Sequence, residues 1–259
     1  SKKIKYKISR YRWYSFLKMQ KKVAPSIKRI ITPSESSKNG IIEDLNCKNT
    51  NITVINNGLD TDEFSPIEGI RRNKFRLITT ASADVPLKGL DYTLKALNIL
   101  KNDFPEIQLI IIGSIKKGGH TQKLIKKLNL EENIIFKTKI SKKEIKQLYA
   151  ESSIALVSSL YEGFGYPVIE AMSCEVPLIA TNVSSIPELT SKYALLIDPK
   201  NSEMISAGVK DILSNYEKYK KIAIQGRQHV VKNFNWIKIT RKYENIIFKT
   251  IREFKNVDV

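Results

Sequence analysis

Short runs of β-branched and other apolar residues alternate with stretches of helical periodicity along most of this chain. Parallel strands need a crossover connection, usually a helix, so this alternation predicts βαβ units and a parallel sheet. Because such crossovers are right-handed, we expect a doubly wound, Rossmann-like α/β domain from about Phe75 to Ser214. The strands predicted in it are Arg76–Ala81, Gln108–Ile112, Asn133–Thr138, Ile154–Val157, Pro177–Thr181 and Ala194–Ile197. The helices predicted with them are Gly89–Lys101, Gln122–Leu128, Lys142–Glu151, Pro167–Ser173 and Ser202–Ser214.

A turn-rich stretch from Asn56 to Gly69 interrupts this pattern and is the best candidate for a domain boundary. Before it, a strand, a serine-capped helix and a second strand are predicted at Ile27–Pro33, Ser34–Leu45 and Ile52–Ile55. We therefore divide the 259 residues into three parts. Residues 1–64 hold a basic, aromatic arm, a βαβ portion and the linker. Residues 65–215 form the Rossmann-like domain, and residues 216–259 form a helical tail that should pack back on the body.

Positive charge is concentrated at the start of the chain. The net charge is +18, from 44 Lys and Arg residues against 26 Asp and Glu residues, and eleven basic residues precede the first acidic one, Glu35. Aromatic residues are interleaved with them at Tyr6, Tyr11, Trp13, Tyr14 and Phe16. This composition suits a helix in an anionic lipid headgroup layer, or a basic helix whose aromatic side chains pack on the rest of the protein. A nucleic-acid partner is not favoured, because no RNP, helix-turn-helix or zinc-finger signature accompanies the charge.

Several common types of site find no support in the sequence. The two cysteines form no CxxC pair and the two histidines have no metal-ligand spacing, so a zinc site is not expected. The segment Gly113–His120 lacks the Lys-Ser/Thr end of a P-loop, and Gly163-Phe164-Gly165 lacks the third glycine of a dinucleotide fingerprint. No apolar run approaches the ~18 residues that span a bilayer. We expect a cytoplasmic protein with reduced thiols that is neither an ATPase nor an NAD enzyme.

The most informative segment follows the strand predicted at Ile154–Val157. Glu162 and Glu170 stand eight residues apart across two glycines. Gly165 allows close approach of the backbone and Pro167 lies just inside the following helix, so free N–H groups would form an anion site there. Since ligands bind at the carboxyl ends of strands in such sheets, both carboxylates can border one ligand. The spacing is equally compatible with a turn residue at Glu162 and a solvated helix residue at Glu170.

The same segment resembles a known family. Glu162-Gly163-Phe164-Gly165, followed by Pro167 and Glu170-Ala171-Met172, is similar to the E-x7-E motif of the retaining glycosyltransferases of family 4, which have the two-domain GT-B fold. Further segments similar to this family are Val54–Asp60 with Phe64–Pro66, Pro86–Asp91 and Ser184–Glu188. The resemblance covers about Tyr11 to Asp211. It implies that residues 1–64 end an acceptor-side domain whose larger part is absent, and that the nucleotide-sugar domain and the crossing helices follow.

The resemblance implies a role for three side chains. Lys88 meets the donor diphosphate, Glu162 meets the sugar hydroxyls and Glu170 meets the ribose. Lys88 and Glu162 are the expected catalytic residues. These roles agree with the chemistry, because a departing nucleoside diphosphate gains negative charge that a cation stabilises, and carboxylates accept hydrogen bonds from vicinal hydroxyls.

Backbone groups supply the remaining contacts that the resemblance implies. The amides of Phe164 and Gly165, together with Gly163 in the same turn, bind the diphosphate or the sugar. The base is read by backbone groups near Lys139 and Ile140. No metal and no cofactor are expected, since Lys88 and the amides take the place of a metal ion at the diphosphate.

The chain departs from the family pattern at three places. Many members carry an arginine five residues before the lysine, where this chain has Ala83, so Lys88 works with another basic group or catalysis is reduced. Glu175 stands where a glycine is common. Ser184-Ser185 replaces a common glycine pair. We expect the last two departures to be backbone adjustments without catalytic meaning.

The sequence thus predicts the donor-binding half of a retaining GT-B glycosyltransferase. It would transfer a sugar from a nucleoside-diphosphate sugar to a glycan or lipid-linked acceptor, in envelope or lipid-linked glycan synthesis at the inner face of the plasma membrane. A separate chain carrying the N-terminal half is an expected partner, and this chain alone should bind donor without transferring sugar. Two alternatives stay open: a GT-B sugar-nucleotide epimerase and a non-catalytic nucleotide-sugar-binding module.

Overall fold

The computed structural model describes residues 2–82 and 84–255. The chain forms two compact units, one up to Asn56 and one from Asn57 onward. Each unit has its own parallel sheet, of two strands in the first unit and six in the second. The candidate site residues Lys88, Glu162 and Glu170 all belong to the second unit.

The first unit contains the predicted strand–helix–strand portion. Its elements are α1 (Lys2–Val23), β1 (Ile30–Thr32), α2 (Glu35–Leu45) and β2 (Ile52–Val54). β1 and β2 are parallel, with Ile30 opposite Ile52. Ser34 is the N-cap of α2, and its Oγ accepts a hydrogen bond from the Ser37 N–H at 3.0 Å. The serine cap is therefore confirmed, and both strands are shorter than the apolar runs suggested.

The aromatic residues of α1 are exposed. Tyr11 is 78% exposed and Trp13 60% exposed, while Tyr14 and Phe16 are each about half exposed. Within the first unit these four side chains are therefore not covered, contrary to the expectation that they pack on the protein. No helix in residues 2–82 and 84–255 is long and apolar enough to cross a membrane.

The second unit is built on a six-stranded parallel sheet in the order β5-β4-β3-β6-β7-β8. Its strands are β3 (Asn73–Thr80), β4 (Gln108–Ile112), β5 (Ile134–Lys137), β6 (Ser152–Val157), β7 (Leu178–Thr181) and β8 (Leu195–Ile197). Its helices are α3 (Leu90–Leu100), α4 (His120–Lys127), α5 (Lys142–Glu151), α6 (Tyr166–Ser173), α7 (Ile186–Thr190), α8 (Ser202–Ser214), α9 (Tyr216–Asn233) and α10 (Trp236–Lys255). The doubly wound parallel sheet is thus confirmed. Sequence periodicity missed α7, because five residues are too few to show a period.

Two hydrophobic clusters cover the two faces of this sheet. Successive strand residues point to opposite faces, so Leu77 belongs to one cluster and Ile78 to the other. Helices α3 and α8 pack in the cluster of Leu77, and helices α5 and α6 pack in that of Ile78. All six residues of β6 are buried, as expected for a central strand covered on both faces. This arrangement places α5 and α6 on the same face of the sheet.

The helical tail packs on the second unit, which also includes the residues just before the predicted boundary at 64/65. Leu59 and Phe64 are buried in the same cluster as Phe234 of the tail. The Leu59 N–H donates to the Phe234 carbonyl at 2.7 Å, and the Trp236 N–H donates to the Leu59 carbonyl at 3.3 Å. The structure places residues 57–64 with the second unit because Leu59 and Phe64 bury their apolar side chains there.

Candidate functional site

The loop between β6 and α6 passes over the carboxyl end of the central strand. This loop, residues 158–165, is called the donor loop below, after the role that the sequence resemblance predicts for it. It ends at Gly165, the N-cap of α6, whose φ of 108° lies in a region that residues with a Cβ rarely adopt. In the part of the chain that the structure describes, no hydrogen bond uses the N–H of Phe164 or Gly165. These two N–H groups are therefore available to an anionic ligand at a helix N-terminus.

Lys88 and Glu162 form an ion pair across two loops. The Lys88 Nζ lies 2.7 Å from Oε1 of Glu162. Ser159 Oγ donates to the same carboxylate oxygen, also at 2.7 Å. Glu162 is buried, yet within residues 2–82 and 84–255 no hydrogen bond involves its Oε2. One carboxylate oxygen is thus held in place, and the other remains free to accept a hydrogen bond from a ligand.

The turn that carries Lys88 is docked directly on the donor loop. Gly89 has a φ of 63°, and a Cβ at this position would lie 1.8 Å from the Ser158 carbonyl oxygen. Ser158 Oγ donates toward the carbonyls of Lys88 and Gly89, at 3.2 and 3.1 Å. The Leu160 N–H donates to the Leu87 carbonyl at 2.8 Å. Close backbone approach at Gly89 therefore brings together a lysine and a glutamate that lie far apart in sequence.

Glu170 has different surroundings from Glu162. It is the fifth residue of α6, slightly more than one turn into the helix. The buried Tyr149 of α5 donates from its hydroxyl to Glu170 Oε2 at 3.3 Å, and the same hydroxyl lies 3.4 Å from Thr80 Oγ1. Burial raises the pKa of Glu170, although the Tyr149 hydrogen bond and the charge of Lys142 act in the opposite direction.

Two serines between β7 and α7 also contact the donor loop. Ser184 Oγ accepts a hydrogen bond from the Glu162 N–H at 2.8 Å. Ser185 Oγ lies 2.8 Å from the Glu162 carbonyl oxygen and 2.6 Å from the Phe164 carbonyl oxygen. Sequence analysis did not place these serines in the site. Their only signal was that they stand where the family pattern commonly has glycines.

A cavity of ≈ 270 Å³ opens beside the Lys88 turn. Val85 and Pro86 line it from the turn, His120 from the start of α4 and Leu160 from the donor loop. His120 Nε2 lies 2.6 Å from Asp91 Oδ2 at its rim. The carboxyl edge of the sheet is therefore concave on the side where the lysine turn meets the donor loop.

The residues predicted to contact the base follow β5. Lys139 is exposed with a φ of 54°, and Ile140 packs against the hydrophobic cluster that contains Phe164. In the described ranges neither side chain has a hydrogen bond or ion pair with Lys88, Glu162 or Glu170. Gly163 lies in the donor loop between Glu162 and Phe164. Ala83 lies outside the described residues.

Comparison with known proteins gives matches over most of the chain. A family model described as "Glycosyl transferases group 1" matches residues 60–229. The MMP alpha-(1->4)-mannosyltransferase of Mycolicibacterium hassiacum is 32% identical over 243 residues, which are 93% of this chain and 58% of that protein. A GDP-mannose-dependent alpha-(1-6)-phosphatidylinositol monomannoside mannosyltransferase of Mycolicibacterium smegmatis is 26% identical over 69% of this chain and 51% of its own length. The chain thus spans between half and three fifths of these relatives.

Solved structures with the same fold include two glycosyltransferases. Sucrose-phosphate synthase from Thermosynechococcus elongatus superposes with a TM-score of 0.82 at 20% identity, over 93% of this chain and 62% of that one. HepE of Anabaena, solved with UDP and glucose, superposes with a TM-score of 0.80 at 21% identity, over 90% of this chain and 66% of that one. At these identities the similarity establishes the fold, and the predicted GT-B fold is confirmed.

Proposed function

The chain belongs to the glycosyl transferases group 1 family, and from this premise we propose that it is the donor-binding portion of a retaining glycosyltransferase. The observation that carries the proposal is the Lys88–Glu162 contact at 2.7 Å, beside the available N–H groups of Phe164 and Gly165. A fixed cation, a fixed carboxylate and two free backbone donors are the groups that a nucleoside-diphosphate sugar needs. They lie in one loop cluster at the carboxyl edge of a parallel sheet, where ligands of such folds bind.

In this proposal Lys88 stabilises charge that develops during the reaction. As the bond between the sugar and the diphosphate breaks, negative charge grows on the departing phosphate oxygens. A preorganised cation and backbone donors stabilise that state more than the ground state, and each such donor contributes about 3 kcal/mol. An ammonium group has three N–H donors, so Lys88 can contact a phosphate oxygen while it remains bound to Glu162.

Glu162 and Glu170 would hold the two ends of the donor. The free Oε2 of Glu162 would accept a hydrogen bond from a sugar hydroxyl. Its Oε1 is bound by Lys88 and Ser159, so the sugar would be held at a fixed position relative to Lys88. Glu170 would accept from the ribose hydroxyls, with the base near Lys139 and Ile140. No metal or cofactor has a step in this mechanism, since Lys88 and the amides act at the diphosphate.

The names of the relatives support a hexose donor. One relative is described as GDP-mannose-dependent, and the structure from Anabaena contains UDP and glucose. The first also acts on a phosphatidylinositol mannoside, which supports a glycan or lipid-linked acceptor and a role in envelope glycan synthesis. We propose that the acceptor side lies on residues outside this chain, because the relatives are longer. A separate polypeptide could carry them.

Ligand binding and product analysis test this proposal. UDP, GDP, UDP-glucose and GDP-mannose are titrated into the 259-residue chain, and labelled donors are followed in the presence of lipid-linked glycan acceptors. We expect the chain to bind either UDP and UDP-glucose or GDP and GDP-mannose, without sustained transfer of the sugar. Failure to bind any of the four ligands contradicts the donor role, and sustained transfer to an acceptor contradicts the absence of an acceptor side. The two alternative functions are tested in a longer protein that includes the acceptor side. Formation of an epimerised sugar nucleotide would indicate an epimerase. Binding of the sugar nucleotide without any turnover would indicate a non-catalytic binding module.

We further propose that α1 associates with an anionic membrane at the inner face of the plasma membrane. Its exposed Tyr11, Trp13, Tyr14 and Phe16 stand among basic residues, which suits a headgroup layer. Each basic side chain near the surface adds about 1 kcal/mol, and salt screens this attraction. Sedimentation with phosphatidylserine vesicles should show binding that falls at high salt and is lost when residues 1–29 are deleted. Equal binding to neutral phosphatidylcholine vesicles would contradict it.

A further inference from the structure

The loop between β7 and α7 presents two adjacent serines to the donor loop. Ser184 accepts a hydrogen bond from the Glu162 N–H, and Ser185 reaches the carbonyl oxygens of Glu162 and Phe164. Ser185 is fully buried, so these carbonyls have no access to water from its side. Three backbone groups of the donor loop are therefore held by two hydroxyls from a different part of the chain.

The backbone conformation of Ser184 indicates that its hydroxyl group has a specific role. Its φ is 44°, in the left-handed region that favours glycine. Glycine would occupy this position without backbone strain. Serine adds only a hydroxymethyl group, and the hydroxyl oxygen is the group that accepts the Glu162 N–H. Compared with glycine, serine at position 184 thus adds one hydrogen bond to the donor loop.

The contact of Ser185 fixes the direction of a peptide group. A trans peptide is planar, with its C=O and N–H on opposite sides. The Phe164 carbonyl belongs to the same peptide as the Gly165 N–H. When Ser185 Oγ holds that carbonyl at 2.6 Å, the Gly165 N–H must point away from Ser185. A flip of this peptide would turn the carbonyl oxygen toward the place where the N–H now lies.

The two serines complete a set of contacts around Glu162. Its side chain is held by Lys88 and Ser159, its N–H by Ser184 and its carbonyl by Ser185. We propose that Ser184 and Ser185 are positioning residues that lock the donor loop so that Glu162 Oε2 and the Gly165 N–H face the diphosphate-sugar end of the donor. This inference rests on the proposed donor role, and it goes beyond the backbone adjustment that the sequence led us to expect at this pair.

Three variants of the 259-residue chain test the inference. Ser184→Gly relieves the left-handed backbone and removes the hydroxyl, so thermal stability should stay equal or rise while donor binding weakens. Ser185→Ala removes the contacts to both carbonyls. Asn129→Gly is the control, since Asn129 also has a positive φ, of 50°, and follows α4 at a turn without contacts to the donor loop. The ligands are UDP-glucose with uridine and GDP-mannose with guanosine, and the pair that the unsubstituted chain binds is used.

We expect Ser184→Gly and Ser185→Ala to weaken binding of the nucleotide sugar roughly tenfold, the loss of about one hydrogen bond, while binding of the nucleoside is unchanged. Asn129→Gly should change neither. If the unsubstituted chain binds a nucleotide sugar and both serine variants bind it equally well, the positioning role is overturned and the donor role stands. Equal losses of affinity for the nucleotide sugar and the nucleoside, together with lower thermal stability, would also overturn the positioning role, because they would show that the substitutions only disturb the structure. If the unsubstituted chain binds neither nucleotide sugar, the donor role and this inference fall together.

Discussion

Glu162 and Glu170 are the same type of residue at the two ends of one loop–helix segment, yet their surroundings are opposite. Glu162 contacts the ammonium of Lys88 and the hydroxyl of Ser159. Glu170 contacts the phenol of Tyr149, and in the described part of the chain it has no ion pair. Burial raises the pKa of Glu170. The comparison shows that sequence spacing predicts the positions of the two carboxylates but not their partners, and on those partners we base the different roles proposed for them.

The raised pKa of Glu170 has a consequence for stability. The folded chain holds the Glu170 proton more tightly than the unfolded chain does, so ionisation of Glu170 opposes folding. The stability linked to this proton is fully present below the ordinary carboxyl pKa and is lost as pH rises through the raised one. An ionised Glu170 therefore costs stability, which agrees with the ribose-binding role that we propose for it.

The largest expected effect is at the Glu162 end. Lys88→Ala removes both the cation that we propose contacts the diphosphate and the partner of Glu162 Oε1. We expect binding of UDP or GDP to weaken by about 3 kcal/mol, while the nucleoside is unaffected, because only the diphosphate carries the charge that Lys88 meets. Calorimetric titration measures both.

Lys210→Ala is the matched control for that variant, since Lys210 forms a surface ion pair with Asp103 and is outside the site. It should leave nucleotide binding unchanged and alter stability by no more than about 1 kcal/mol. Equal loss of nucleoside and diphosphate in Lys88→Ala would indicate misfolding and remove the diphosphate role.

A smaller effect is expected at the Glu170 end. Glu170→Ala should weaken nucleoside diphosphate binding by about 1 to 3 kcal/mol, because the ribose hydroxyls lose their acceptor. Glu170→Gln should raise the melting temperature at pH values above the pKa of Glu170, since the partly buried charge is removed. Binding by calorimetry and unfolding by circular dichroism check the two parts. Unchanged affinity in Glu170→Ala would exclude the ribose role.

The smallest effect concerns the partner of Glu170. Nucleotide affinity should fall as pH falls through the pKa of Glu170, which lies above that of an ordinary carboxyl group. Tyr149→Phe removes the hydrogen bond that lowers this pKa, so the fall in affinity should move to higher pH. Tyr149 itself stays neutral, because burial raises its pKa well above 10. A pH profile that is identical in the two proteins would mean that Tyr149 does not act through Glu170.

Sequence alone predicted the elements whose signal is local. β4 was predicted at Gln108–Ile112, and the structure has the same bounds. The prediction succeeds because the consecutive buried positions of a parallel strand form an unbroken apolar run in the sequence. Lys88, Glu162 and Gly165 were singled out because they belong to one recognisable motif set, and their roles toward a ligand stay predictions. The ion pair between Lys88 and Glu162 could not be derived from spacing, because it depends on how closely the backbone approaches at Gly89.

The residues whose contacts could not be predicted from the sequence are those that join segments far apart along the chain. Tyr149 looks like any aromatic residue of an amphipathic helix until α5 lies beside α6. Arg72 is similar: its partly buried guanidinium donates to the carbonyls of Tyr149 and Cys174, at the carboxyl ends of α5 and α6. Such contacts join distant segments, so no pattern within a short window of residues reveals them.

The most direct test of the division between the two carboxylates is a crossed titration. The unsubstituted chain, Glu162→Gln and Glu170→Gln are each titrated with a nucleoside diphosphate, its hexose derivative and its 2′-deoxyribose form. We expect Glu162→Gln to lose the affinity added by the sugar and to keep the preference for ribose. Glu170→Gln should lose the preference for ribose and keep the affinity added by the sugar. Equal losses in both variants, or the reverse assignment, would contradict the separate roles of Glu162 and Glu170.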